Sequence, residues 1–336
     1  MSEIRNRAPG RTLGMGEVTA VRDRASIAAP FGQALVEIAN ADRRVVGLSA
    51  DLAKYTDIQP FAEAFPKRFF NVGMSEQNLI AVAAGLAKTG WIPFATTYAV
   101  FATRRAYDFI AIACAHSHAN VKIIAGLPGL TTGYGGTHQG IDDLALMCAV
   151  PGLVVIDPCD ATEIMQATRV AAAYDGPVYM RLLRGNVPKV LDDASYTFRI
   201  GAAAELAAGA DIGIVSTGLM TERALDAAAA LGKEGIAVGV LHVPCLKPLD
   251  RGAICRFAHK VKRLVTAENH IVTGGLGTMV VDTLYAAGIC LPLRKVGIPD
   301  QFVECGSLPY LQDKYGLSTA RLIEAVRACA RQHKAA

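Results

Sequence analysis

Side chains able to move protons or bind anions gather in three short stretches of this sequence. NVGMSEQN (71–78) carries Glu76 where a helical pattern begins, GLPGLTTGYGGTHQG (126–140) crowds Thr, Tyr134 and His138 among glycines, and RLLRGN (181–186) offers Arg184. Each stretch follows or adjoins a strand-like run, and ligands of open parallel sheets bind at loops beyond the carboxyl ends of strands. The middle stretch is too long and too rich in special residues to be a mere connector, since ordered loops of that length usually serve a function. A carboxylate opening a helix is stabilised by the helix dipole, and bare composition favours that role for Glu76 over a chemical one. A lone histidine is more often structural, but a Gly-rich loop is an unusual place for a core side chain, which makes His138 a candidate for proton transfer.

Those loops need a scaffold, and the rest of the chain supplies one. Pro30 suits a first helical turn, with Phe31, Leu35 and Ile38 following at helical spacing. The pattern then predicts strands at 44–49, 92–98, 121–125, 153–157 and 177–183, and helices over 76–88, 103–116 and 160–174. The rhythm breaks in polar, turn-rich 185–205. It restarts with strands at 211–217, 237–243 and 263–267 and helices over 220–234, near 250–259 and 277–288, and over 318–330. Short β-rich runs alternating with helices predict an α/β fold of two domains, each a mainly parallel sheet covered by helices on both faces. The expected division is an N-terminal arm (1–25), a first domain (26–190), a linker (191–205) and a second domain (206–334).

Composition narrows the function classes. The chain is 52% hydrophobic and 19% charged, with a net charge of +4 spread thinly. No Lys/Arg cluster is interleaved with aromatics, so no nucleic-acid surface is expected, while an anionic substrate is allowed. None of the eight cysteines forms a C-x-x-C pair, which favours reduced core thiols over a disulfide framework or a zinc site. The charged N-terminus does not read as a secretory signal, and no run approaches about 18 apolar residues, so a cytoplasmic protein without a membrane span is expected.

Taken in order, GLSADLA (47–53), FFNVGMSEQNLIAVAAGLAKTG (69–90), PFATTYAVFATRRAYD (93–108), GGTHQG (135–140), MRLLRGN (180–186), HVPCLKPLD (242–250) and GGLG (274–277) resemble the C-terminal part of transketolase and of its relative deoxyxylulose-phosphate synthase. That part comprises a pyrimidine-binding domain of the thiamine diphosphate-binding fold and the transketolase C-terminal domain. The resemblance implies a specific role for Glu76. The family glutamate hydrogen-bonds the pyrimidine ring of thiamine diphosphate and, through its imino tautomer, promotes loss of the thiazolium C2 proton. A carboxyl group in a dry cleft suits proton sharing, and the electron-sink chemistry belongs to the cofactor. Tyr98, Phe101 and Arg104 match the pyrimidine pocket, with Phe101 as the stacking ring, and Asp51 matches an acidic position near the cofactor. His138 corresponds to a substrate-facing histidine, and Arg184 to an arginine whose planar fork grips the substrate phosphate.

The resemblance also shows what the chain lacks. The family holds the cofactor diphosphate and Mg²⁺ on another domain with a GDG motif and downstream Asn, and GDG occurs nowhere in this sequence. Magnesium needs a near-octahedral oxygen set, so no metal ligand is expected here and a second polypeptide should supply that half, as an α2β2 assembly. Three departures bear on substrate: Gly126 stands where the family has a substrate-facing histidine, Tyr134 where it has an aspartate reading a sugar hydroxyl, and Ala28 where it has a phosphate-gripping arginine. The expected activity is two-carbon ketol transfer between sugar phosphates, with a branched or otherwise modified sugar. Two alternatives stay open at this point: the β subunit of a 2-oxo acid dehydrogenase E1 component, and a non-catalytic assembly or regulatory paralogue. A half of a deoxyxylulose-phosphate synthase is disfavoured, because that enzyme is one longer chain. The second domain carries no motif tied to chemistry. Its expected work is to bury area against the partner, with Glu268, Asn269 and His270 capping a strand end.

Overall fold

The computed structural model describes residues 24–331, so nearly all of the expected N-terminal arm, and the last residues of the expected second domain, lie outside the described residues. With strands numbered in chain order, the first sheet runs β12 (Cys245–Lys247), β6 (Val154–Ile156), β7 (Val178–Leu182), β5 (Lys122–Gly126), β4 (Ile92–Tyr98), β2 (Val45–Ser49), β3 (Phe69–Asn71). Its pairings are parallel except at the β12 edge. The second sheet runs β14 (Leu293–Ile298), β13 (Leu264–Ile271), β10 (Ile212–Ser216), β11 (Val238–His242), β9 (Ala204–Ala207), parallel except for β9. Central strands such as β2, β4, β5 and β7 are buried along their whole length, which is why they read as unbroken apolar runs rather than alternating ones.

Two features depart from the expected division. First, β12 comes from beyond the expected linker yet pairs antiparallel with β6, so the HVPCLKPLD segment stitches the second half of the chain onto the first sheet. Second, one hydrophobic cluster runs across both halves, joining Leu79, Ala83 and Val121 to Val215, Leu241 and Leu264. Two short strands outside both sheets, β1 (Ser26–Ala28) and β8 (Asn186–Pro188), pair antiparallel and close the chain behind β7. The thiols also differ from expectation: Cys290 and Cys305 are exposed, whereas Cys114, Cys159, Cys245 and Cys329 are buried.

The helix expected over 103–116 begins at Ala99, directly from β4, because Tyr98 enters it without a side-chain cap that could mark the start. It continues past Phe109 as a π-helical Ile110–His116 segment. Helices Gln59–Ala64, Asp143–Ala149 and Leu308–Lys314 leave no legible trace in the sequence, being too short to establish a 3.6-residue period. Glu76 opens the Glu76–Lys88 helix as the pattern predicts, and the positive φ of Gly90 (92°) turns the chain back toward β4. The carboxyl ends of the parallel neighbours β2, β4, β5 and β7 thus lie along one edge of the sheet, and the Gly-rich segment leaves from the end of β5.

Candidate active site

Glu76 is a buried acid, with 3% of its surface exposed. Its Oε1 accepts a hydrogen bond from Arg105 Nη1 at 3.1 Å. The Arg105 guanidinium in turn lies over the Phe101 ring, 4.0 Å from its centroid. Phe101 packs on Tyr98 (5.6 Å between centroids) and meets the His138 ring edge-on at 5.4 Å. Tyr134 also meets that imidazole edge-on, at 5.7 Å. The structure therefore brings Glu76, Phe101, Tyr98, His138 and Tyr134 into one chain of contacts, from a helix start, a strand end and the Gly-rich loop.

Arg104 does not join them. Its guanidinium is held by Asp142 (3.0 and 3.2 Å) and donates to the Gly136 carbonyl at 3.3 Å, so it clamps the Gly-rich loop. The reason is helical phase: from Phe101, position i+3 faces the loop and position i+4 faces Glu76. The resemblance points to Arg104, whereas the arginine that touches Glu76 and Phe101 is Arg105. The signal available in the sequence is RR itself, two adjacent cations that must point to different neighbours.

Arg184 is half-buried beside Asp57 and Tyr98, and its buried Nε has no hydrogen-bond partner among the described residues. Asp57 accepts from the Gly185 amide at 2.7 Å, and burial pushes its carboxyl up to about 6 against the pull of that amide and of Arg184. Burial likewise raises the Tyr98 phenol, with Arg184 opposing. Ala28 pairs with Asn186 and the Ala29 amide donates to Gly185, which places the N-terminal strand beside Arg184. Gly126 is hemmed in: a Cβ there would lie 3.3 Å from Thr56 Cγ2 and 3.5 Å from the Tyr98 ring. The turn Ala53–Thr56 fills the space a side chain would take. Asp51, at positive φ (60°), exchanges hydrogen bonds with Asn71 at 3.0 Å across the ends of β2 and β3, at the exposed rim.

The second half of the chain shapes this site, contrary to the expectation that it only buries area. Asn269 at the end of β13 accepts from the Leu130 amide (2.8 Å) and donates to the Pro128 carbonyl, and a Cβ on Gly129 would sit 2.2 Å from the Asn269 carbonyl oxygen. Gly306 donates to Gly133, and Tyr134 forms a β-bridge with Cys305. Beneath them, Arg181 is fully enclosed. It donates to Asp143 (Nε at 2.9 Å, plus a second short bond), to Asp157 at 3.2 Å and to the Asn269 carbonyl at 3.1 Å, while Tyr179 also donates to Asp143 at 2.6 Å. Burial raises Asp157 to about 6; in Asp143 the arginine overcomes burial and holds the carboxyl low. Glu268 accepts from the Leu276 and Gly277 amides, capping the following helix, and His270 Nε2 accepts from Ala145. Glu268, Asn269 and His270 are therefore not strand-end caps: they tie the second sheet to a helix start, to the Gly-rich loop and to the first domain.

Among the described residues one group has metal-ligating types close together, Cys159, Glu163 and His242, all buried. The Glu163 carboxylate accepts from the Cys159 amide (2.8 Å), from Tyr196 and from His242 Nε2 (2.9 Å), and His242 Nδ1 is hydrogen-bonded to the Thr221 hydroxyl at 2.7 Å. With its polar atoms already paired, the group is a structural junction between the two halves.

The arrangement defines a class: an α/β domain with a buried acid joined through an arginine to an aromatic cluster, fused to a smaller α/β domain that braces its Gly-rich loop. Residues 23–189 match the family described as transketolase, pyrimidine binding domain, and residues 201–322 match transketolase, C-terminal domain. The chain is 53% identical over 301 residues to transketolase family protein y4mN of Sinorhizobium fredii, spanning 89% of this chain and 87% of that protein. It is 40% identical over 292 residues to the 6-deoxy-6-sulfo-D-fructose transketolase subunit SqwH of a Clostridium species, spanning 87% of this chain and 90% of that one. A solved split gene transketolase, an inactive β4 tetramer, superposes with a TM-score of 0.83 at 42% identity, covering 91% of this chain and 98% of that chain. This chain belongs to the transketolase family. No helix among the described residues is long and apolar enough to cross a membrane.

Proposed function

We propose that this chain is the small, C-terminal subunit of a two-polypeptide, thiamine diphosphate-dependent transketolase that moves a two-carbon ketol unit between sugars carrying a terminal anion. The observation that carries the reading is Glu76: a carboxylate 3% exposed, with one oxygen engaged by Arg105 and the other left for a ligand, and with the same guanidinium lying over the face of the half-buried Phe101. An acceptor at the edge of a flat apolar wall fits the pyrimidine end of thiamine diphosphate. Glu76 would hold a proton at the pyrimidine ring nitrogen, Phe101 and Tyr98 would fix the ring plane, and His138 would serve the substrate oxygens. The cofactor supplies the nucleophilic carbon and the electron sink for ketol transfer. Its diphosphate and Mg²⁺ belong to a partner subunit carrying GDG and Asn, in an α2β2 assembly in the cytoplasm. The relative solved as an inactive β4 tetramer supports a chain that assembles without activity until that partner is present.

Substrate follows from Arg184, whose unpartnered buried Nε and planar fork suit a tetrahedral oxyanion. Gly126 and Tyr134 remove polar groups that would hold a linear sugar, which favours a modified ketose. The relative named for a sulfosugar, which ends in a sulfonate rather than a phosphate, supports that direction. The test is reconstitution: the chain alone, the GDG partner alone, and their mixture with thiamine diphosphate, Mg²⁺, a panel of phospho- and sulfoketoses and an aldose acceptor. Activity confined to the mixture and abolished by Glu76→Ala is expected. Turnover by the chain alone would overturn the divided site, and activity that survives Glu76→Ala would overturn the role of that acid. Xylulose 5-phosphate turned over as well as any modified ketose would overturn the substrate reading.

A further inference from the structure

We propose that Arg105 is the positioning residue for Glu76, a role resting on the reading of Glu76 given above. The geometry sets this arginine apart from its neighbour. Arg104 is consumed by Asp142 and the Gly136 carbonyl, whereas Arg105 Nη1 reaches Glu76 Oε1 at 3.1 Å with its guanidinium carbon 4.0 Å over the Phe101 ring. A carboxylate at the first position of a helix has freedom to rotate, and Ser75 before it makes no side-chain cap that would hold the turn. Arg105 removes that freedom by fixing one oxygen. The remaining oxygen, Oε2, is then presented at a fixed height relative to the Phe101 ring, because the same guanidinium touches both. A planar cation can do this where an ammonium cannot: its face stacks on the aromatic while its edge donates to the acid. Phe101 and Arg105 are four residues apart in the Ala99–Phe109 helix, so the stack is built into a rigid element. Its ion pair is partly open to solvent, Arg105 being half-exposed, so the contribution lies in orientation more than in attraction.

Misplacing a reacting group by about 1 Å can cost about 100-fold in rate, and that sets the expected effect. In the reconstituted assembly, Arg105→Met is expected to lower kcat by about 10- to 100-fold, with the sugar KM little changed. The affinity of the apo assembly for thiamine diphosphate, read by fluorescence quenching, should weaken by about tenfold. The near-ultraviolet circular-dichroism band of the cofactor's imino tautomer should diminish in parallel. Arg105→Lys keeps the charge without the stacking plane and should fall between wild type and Arg105→Met on all three readouts. If Arg105→Met does not assemble, Arg105→Lys carries the test by itself: a partial loss of kcat and of the band supports the role, and wild-type values overturn it. Wild-type kcat, cofactor affinity and dichroism in Arg105→Met, alongside an inactive Glu76→Ala, would sink the positioning role while leaving the Glu76 reading intact. An active Glu76→Ala would sink that reading first.

Discussion

Replacing Arg181 by methionine tests whether the enclosed arginine holds the two halves of the chain together. The residue is 1% exposed, and its side chain donates to Asp143, which is fully buried, to Asp157 and to the Asn269 carbonyl. Methionine fills most of the volume but leaves two carboxylates without their cation, and stranding the partner of a buried ion pair costs about 3–5 kcal/mol. An unfolding entropy of about 2.1 cal/mol/K per residue gives about 0.7 kcal/mol/K for this chain, so the melting midpoint should fall by about 4–7 °C. The loss should depend on pH. Without the cation both carboxylates must bind protons to remain buried, so the deficit narrows at about pH 5 and widens at about pH 8. Adding Asp143→Asn to Arg181→Met removes one stranded charge and should recover part of the loss. The assay is differential scanning calorimetry of the three proteins at both pH values. A midpoint for Arg181→Met within a degree of wild type at about pH 8, or a deficit that grows on acidification, would refute the reasoning.

Three further outcomes follow from the same geometry. Gly129→Ala places a Cβ 2.2 Å from the Asn269 carbonyl at a φ of +58°, so it should cost about 2–5 kcal/mol and displace the Gly-rich loop, seen as a lower melting midpoint and at least a tenfold loss of reconstituted activity. Glu268 has a folded-state value of about 7 against an ordinary 4.5, so the folded chain holds that proton more tightly than the unfolded one. Its contribution to stability is greatest below about pH 4.5 and falls by up to about 3 kcal/mol as pH rises through 7; Glu268→Gln should flatten that slope in pH-dependent denaturant melts. Arg184→Met should raise the KM for an anionic ketose by about 10- to 100-fold, the loss of a charged hydrogen bond, with thiamine diphosphate affinity unchanged in the same assembly.

Sequence alone determined the alternation of elements, because fully buried parallel strands must be unbroken apolar runs and the helices between them must carry a 3.6-residue period. It also placed Glu76 at a helix start and marked the Gly-rich segment, since both signals are local. Short elements such as Asp143–Ala149 and β12 stayed hidden, being too brief to show a period and stabilised by contacts far away in the chain. Only the tertiary structure could choose between Arg104 and Arg105, because one residue of helical phase, about 100°, separates the loop clamp from the partner of Glu76. The same holds for Asn269, whose side chain reads as an ordinary polar residue until the fold sets it against Pro128 and Leu130, some 140 positions earlier. Local propensity is written in neighbouring residues, whereas the pairing of buried polar groups is decided by which distant segments the packed core brings within hydrogen-bond reach.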